Sequence, residues 1–250
     1  SHGVRGSHQV GWACPPLIRQ AQNVIHSVLV KEIAFMKRTL LAATLACVGS
    51  ASAYAADLAF NPATAYTEQS TQVNGQQVDY RAYEGIVYVA KPVDAAYQQM
   101  NVYIPAAYFK GEKINGFTAE TAPIFLPNQI GGYMPAKPGQ PGPDRRAGNT
   151  PNSILVALSR GYVVASPGAR GRTQQYGKAP AAIVDLKAAV RYLRLNDARM
   201  PGNAEKIISN GTSAGGALSA LLGASGNSAD YAQHLKALGA ADARDDIFAV

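Results

Sequence analysis

Apolar and polar positions divide this chain into short blocks. "EGIVYVAKP" (84–92) and "MNVYIP" (100–105) are apolar runs, each closed by proline, and predict two short strands after a polar lead-in. "TAPIFLPN" (121–128) predicts a third, buried strand. "QIGGYMPAKPGQPGPDRRAGNT" (129–150) is dense in Gly and Pro and reads as loop throughout. "PNSILVALSRG" (151–161) has helical spacing, with Pro151 near its start and Gly161 at its end. "YVVASPG" (162–168) predicts a strand. "APAAIVDLKAAVRYLRLND" (179–197) gives the strongest helix, with Ile183, Leu186, Ala189, Val190 and Leu193 on one face. "MPGN" reads as a turn, "KIIS" (206–209) as a strand, and the Ala- and Leu-rich run after Ser213 as a helix. "YAQHLKALG" (231–239) is another helical piece, and "DDIFAV" (245–250) begins one more strand. Strands alternating with helices from residue 121 onward predict βαβ units: an α/β domain with a mostly parallel sheet and flanking helices. The run "IFAV" closes the sequence with nothing to cover it, so the domain, residues 56–250, is expected to be C-terminally incomplete.

The segment before that domain changes how the bulk numbers are read. From Met36, Lys37 and Arg38 form a basic n-region, Thr39 to Val48 an apolar core, and Ala53-Tyr54-Ala55 a small-residue cleavage signature. Residues 36–55 therefore read as a secretory signal peptide cleaved after Ala55, too short to span a membrane. Thr44 stands where a lipid-attachment box at Cys47 normally has Leu, which argues against lipidation and stable membrane anchoring. Residues 1–35 show no sustained periodicity and read as translated upstream sequence outside the fold. The whole chain has 250 residues and a formal charge of +7. Five of its 23 Lys and Arg and one of its 16 Asp and Glu precede Ala56, which leaves +3 after cleavage. That balance gives no case for a nucleic-acid partner. Cys14 and Cys47 also precede the cleavage point, so the mature segment holds neither a disulfide nor a cysteine metal site.

The chemistry concentrates in "KIISNGTSAGGALSALLG". Gly211, Ser213 and Gly215 have the spacing G-x-S-x-G, with a β-branched run before and a helix-compatible run after. A sharp strand-to-helix turn projects the serine hydroxyl, and the two flanking glycines give it clearance. The following helix aims N–H groups at the position where an oxyanion forms. Ser213 is the candidate nucleophile and the amide of Ala214 the first oxyanion donor. A second donor is expected from Gly131 or Gly132 in the loop after the third strand, although the pair also suits a plain turn. A glycine-rich helix start for packing or phosphate binding is the competing reading of the serine motif. Asn210-Gly211-Thr212 also fits a glycosylation sequon, which the turn is expected to hide. Tyr133 and Met134 are candidates to wall an acyl pocket, with ordinary loop packing the better reading for Met134.

Arg170 and Arg172 suit the binding of an acidic group, but an internal ion pair that stitches the loop, with Asp185 as partner, is the better reading. The base is harder to find. Three of the four histidines precede Met36, and His234 lies only 21 residues past Ser213, on a polar helical stretch. In the serine–acid–histidine order of this motif it comes too early. His234 is read as a surface residue, and Asp230, Asp242, Asp245 and Asp246 as a solvated acidic face.

"TAPIFLPNQIGGYMPA", "ALSRGYVVASPGARGRT", "GKAPAAIVDLKAAVRYLRLND" and "KIISNGTSAGGALSALLGASGNSADY" together resemble the bacterial tannases, subtype B tannin acylhydrolases, over about residues 78–250. The resemblance implies an α/β-hydrolase fold, Ser213 as acyl-accepting nucleophile, backbone donors at Ala214 and in the Gly131-Gly132 loop, galloyl esters as small-molecule substrates, and no cofactor. It also implies that the family's catalytic Asp and His, and the lid that holds the galloyl hydroxyls, lie beyond Val250, so that these 250 residues are inactive alone. A feruloyl or general carboxylesterase on the same fold, and a non-catalytic secreted binding scaffold, are the alternative functions.

Overall fold

The computed structural model describes residues 57–250. The upstream segment and the signal peptide, residues 1–55, lie outside the described residues. Six strands form the main sheet: β1 (Tyr66–Val73), β2 (Gln76–Val87), β3 (Gln99–Pro105), β4 (Pro123–Pro127), β7 (Val163–Pro167) and β8 (Asn203–Asn210). Their order is β1-β2-β3-β7-β4-β8. The β1/β2, β2/β3 and β3/β7 pairs are antiparallel, and β4 pairs in parallel with both β7 and β8. Four strands, β2, β7, β4 and β8, consequently point the same way, and the parallel trio carries the βαβ crossovers predicted from residue 121 onward.

The hairpin β1–β2 corrects the expectation of a polar lead-in. Its turn is Asn74-Gly75, both at positive φ, a pairing that suits the two-residue hairpin loop. β1 is almost wholly solvent-facing, so it carries no apolar signal. The loop 129–150 also contains structure: β5 (Pro143–Asp144) and β6 (Thr150–Pro151) form a minimal antiparallel ladder.

Period-two alternation explains how the sheet divides its side chains. On β3, Val102 and Ile104 face one core and Tyr103 the other; on β7, Val163 and Ala165 part from Val164 in the same way. Helix α1 (Ser153–Ser159) covers the Tyr103 and Val164 face with Ile154, Leu155 and Leu158. The Asn152 side chain caps it by accepting from the Leu155 N–H at 3.1 Å. Helices α2 (Ala181–Leu195) and α3 (Ala214–Ala224) cover the opposite face. Ile183, Leu186, Ala189, Val190 and Leu193 of α2 are all buried, as their spacing predicts. The short helix α4 (Ala232–Ala237) carries His234, which is exposed. Beyond it, the Ser209 N–H donates to the Ala249 carbonyl at 3.0 Å, so the closing "IFAV" run begins to pair with β8.

Asp245 contradicts the reading of a solvated acidic face. It is 1 % exposed and receives Lys187 Nζ at 2.9 Å and Arg191 Nε at 2.8 Å. Burial pulls its pKa up, but the hydrogen bonds from Lys187, the Asn227 N–H and Arg191 outweigh burial and hold it below the ordinary value. Lys187 is itself fully buried and also donates to the Ser225 carbonyl.

Candidate active site

β8 delivers the chain to Asn210, and α3 begins at Ala214, so Ser213 occupies the tightest part of the bend. Its backbone lies at φ 56° and ψ −123°, a region that residues with a Cβ enter only under strain. Ser213 caps α3 by position, yet its side chain makes no capping hydrogen bond, so the hydroxyl stays uncommitted and exposed. The flanking glycines are sterically required. A Cβ on Gly211 would sit 2.3 Å from the Gly215 carbonyl, and one on Gly215 would sit 2.5 Å from Asn128 Oδ1 and 2.7 Å from the Ile130 carbonyl.

Ser213 opens into a cleft of about 670 Å³. Its walls include Gly131 from the loop after β4, Gly211 and Thr212 from the bend, Asp144 at the end of β5, and Arg145 and Arg146 just after it. Gly132, Ala214, Tyr133 and Met134 are not among its lining residues; Tyr133 and Met134 are exposed elsewhere on the loop, which gives no support to either as an acyl wall. Among the described residues, the N–H groups of Gly131, Gly132 and Ala214 have no main-chain acceptor. Asn210 is exposed and lines the cleft, where a hidden side chain was expected. A larger cavity of about 1050 Å³ lies over α1 and does not reach Ser213.

Charge at the cleft is positive. Arg145 and Arg146 are exposed and have no acidic partner within salt-bridge distance among the described residues. Asp144 caps the short turn that follows it, its carboxylate accepting the Arg146 and Ala147 N–H groups. The arginines after β7 divide their roles. Arg170 pairs with buried Asp185 through Nε and Nη2, as the sequence suggests. Burial raises the Asp185 pKa against the opposing pull of Arg170. Among the described residues Arg172 has no ion-pair partner; its Nε donates to the Gly132 carbonyl at 2.6 Å and its N–H to the Tyr133 carbonyl at 2.8 Å. That corrects the expectation for Arg172 and shows what holds the glycine loop from outside.

Sequence reasoning passed over Asn128. It is buried at the end of β4 and hydrogen-bonds to both the bend and the glycine loop. Its only trace in the sequence is a polar residue closing a buried apolar strand.

The family model BD-FAE, an α/β-hydrolase family, matches residues 143–248, a span that includes Ser213. The tannase of Fusobacterium nucleatum is 60% identical over 78% of this chain, with a TM-score of 0.75. The chain is an α/β-hydrolase-fold homologue of the bacterial tannases. The native tannin acyl hydrolase of Lactobacillus plantarum is 49% identical over 76% of the chain, with a TM-score of 0.68. A tannin acyl hydrolase solved in complex with ethyl gallate gives 49%, 76% and 0.69. The chain spans 41% to 43% of the length of these tannases. No curated protein sequence matches it.

Proposed function

We propose that this protein is a serine ester hydrolase acting on galloyl esters, with Ser213 as nucleophile. The observation that carries the reading is the uncommitted hydroxyl of Ser213, held at positive φ between β8 and α3 and open to the cleft. The similarity to a tannin acyl hydrolase that binds ethyl gallate supports the substrate class. Ser213 Oγ attacks the ester carbonyl and gives up its proton to a base. The carbonyl oxygen becomes an oxyanion facing the N–H groups of Ala214 and of the Gly131-Gly132 loop. Expulsion of the alcohol leaves galloyl bound to Ser213, and water releases gallate.

The base is not among residues 57–250 in this reading. Their one histidine, His234, is exposed on α4, away from the cleft walls. A polypeptide limited to the present 250 residues is therefore expected to react weakly or not at all. The signal sequence read at residues 36–55 makes the enzyme a secreted or periplasmic one, with its small aromatic ester substrate as the only partner called for.

The test compares ethyl gallate with ethyl ferulate in the native gene product. Gallate ester hydrolysis should dominate, and Ser213→Ala should remove it by several orders of magnitude. Faster turnover of the ferulate ester overturns the galloyl assignment, and unchanged turnover in Ser213→Ala overturns the nucleophile.

A further inference from the structure

We infer that Asn128 is a positioning residue that sets the spacing between the two walls of backbone donors at the Ser213 site. The inference deepens the proposed serine mechanism and rests on it for its catalytic consequence.

Asn128 stands where β4 ends, and its main-chain N–H continues the ladder to the Asn210 carbonyl at 2.9 Å. Its side chain reaches across to three separate pieces of the bend. Nδ2 faces the Asn210 carbonyl at 3.2 Å, the Gly215 carbonyl at 3.1 Å and Ser219 Oγ at 3.1 Å. Its Oδ1 accepts the Ile130 N–H at 3.2 Å, the amide immediately before Gly131. Ser219 is in turn fixed from β8 by the Ser209 hydroxyl at 2.8 Å. One carboxamide thus joins β4, β8, the first two turns of α3 and the glycine loop.

The chemistry of the site selects this residue type. Three acceptors surround the nitrogen and one donor faces the oxygen, so the group must both donate and accept. An aspartate of the same shape offers only acceptors when ionised, and turns a negative oxygen toward two carbonyls. A leucine leaves the Ile130 N–H without its acceptor and takes from the Gly215 carbonyl the donor that supplements its helix bond. A glutamine adds a methylene where none fits, because Gly211 and Gly215 already approach the carboxamide too closely to admit even a Cβ.

The consequence falls on the donors. The N–H groups of Gly131 and Ala214 belong to different segments, and each is one residue from an Asn128 contact, at Ile130 and Gly215 respectively. Arg172 holds the same loop from the other side through the Gly132 carbonyl. Removing the Asn128 clamp lets the loop shift relative to the bend while Ser213 itself remains intact. Misplacement by about 1 Å costs up to about a hundredfold in rate, and outright loss of one oxyanion donor costs about a hundred- to a thousandfold. Displacement without loss is therefore expected to cost about ten- to a hundredfold in kcat.

The test uses Asn128→Asp, with Ser219→Ala as a milder variant that folds if the first does not. The native gene product is followed by amide hydrogen exchange, by fluorophosphonate labelling of Ser213, and by kcat and KM for ethyl gallate. Asn128→Asp should exchange faster at residues 130–132, lose about ten- to a hundredfold in kcat, and keep KM within about threefold. Ser219→Ala should move in the same direction by about two- to fivefold. The hydrogen-bond partners of Asn128 do not titrate, and the charged groups of the same cleft are Asp144, Arg145 and Arg146; burial at this position should raise the carboxyl group introduced by Asn128→Asp above the ordinary value of about 3.9, so that it regains one donor as pH falls. The labelling rate of Asn128→Asp relative to wild type should accordingly rise between about pH 8 and pH 5, a signature that a general loss of stability does not produce. Unchanged loop exchange and unchanged kcat in both variants overturn the inference. If wild type itself shows no labelling of Ser213, the serine mechanism fails, and loop exchange alone still decides whether Asn128 couples the two walls.

Discussion

At position 213 glycine should leave this protein more stable than alanine does, the reverse of the usual order at helical positions. The Ser213 backbone, at φ 56° and ψ −123°, sits in a region that L-residues with a Cβ avoid. Strain of this type costs about 1–3 kcal/mol. Ser213→Ala keeps the Cβ and therefore the strain, but removes the hydroxyl. Ser213→Gly removes both. Against the relief stands the larger entropy that glycine loses on folding, about 0.5–1 kcal/mol relative to alanine. The difference leaves Ser213→Gly more stable than Ser213→Ala by up to about 2.5 kcal/mol. For a domain of this size that is up to about 10 °C in the midpoint of thermal unfolding. The comparison with alanine, not with wild type, isolates the backbone, because both variants lack the hydroxyl. Paired urea and thermal melts measure it directly. A Ser213→Gly variant less stable than Ser213→Ala refutes the strained bend, and with it the reason for expecting a projected hydroxyl.

Two further outcomes test the packing around the site. Gly211→Ala places a Cβ 2.3 Å from main-chain atoms of Gly215, so it should destabilise by at least about 1–3 kcal/mol and abolish fluorophosphonate labelling at Ser213; a variant with wild-type stability and reactivity contradicts the geometry of the bend. Asp245→Asn strands the buried Lys187 ammonium and should cost about 3–5 kcal/mol at neutral pH by chemical denaturation. Because the native Asp245 pKa is depressed, its contribution is complete above the unfolded value of about 3.9 and disappears as pH falls through the native value. Acid melts of wild type should steepen there and those of Asp245→Asn should not; identical acid profiles exclude Asp245 as a source of acid lability.

What the sequence revealed followed from local pattern. Helix α2 announces itself because five apolar residues recur on one face and all five are buried. The bend at Ser213 is legible because its steric demands are met by glycines at fixed offsets. β1 was lost because an edge strand exposed on nearly all positions has no hydrophobic period, although Asn74-Gly75 carried the turn signal. Asp245 was misread because its partner Lys187 lies 58 residues away, and no local rule distinguishes a buried acid from a solvated one. Asn128 was missed for the same reason: its partners at Gly215 and Ser219 lie 87 and 91 residues on. The place of Arg172 in the loop after β7 suggests an ion pair, whereas the fold brings it two carbonyls of the glycine loop.

Intact mass and peptide mapping of the native gene product, quenched in acid during turnover of ethyl gallate, address the nucleophile most directly. A galloyl group on the peptide containing Ser213, absent from Ser213→Ala, is the predicted result. Hydrolysis that proceeds with the galloyl group on another residue, or undiminished in Ser213→Ala, contradicts the assignment.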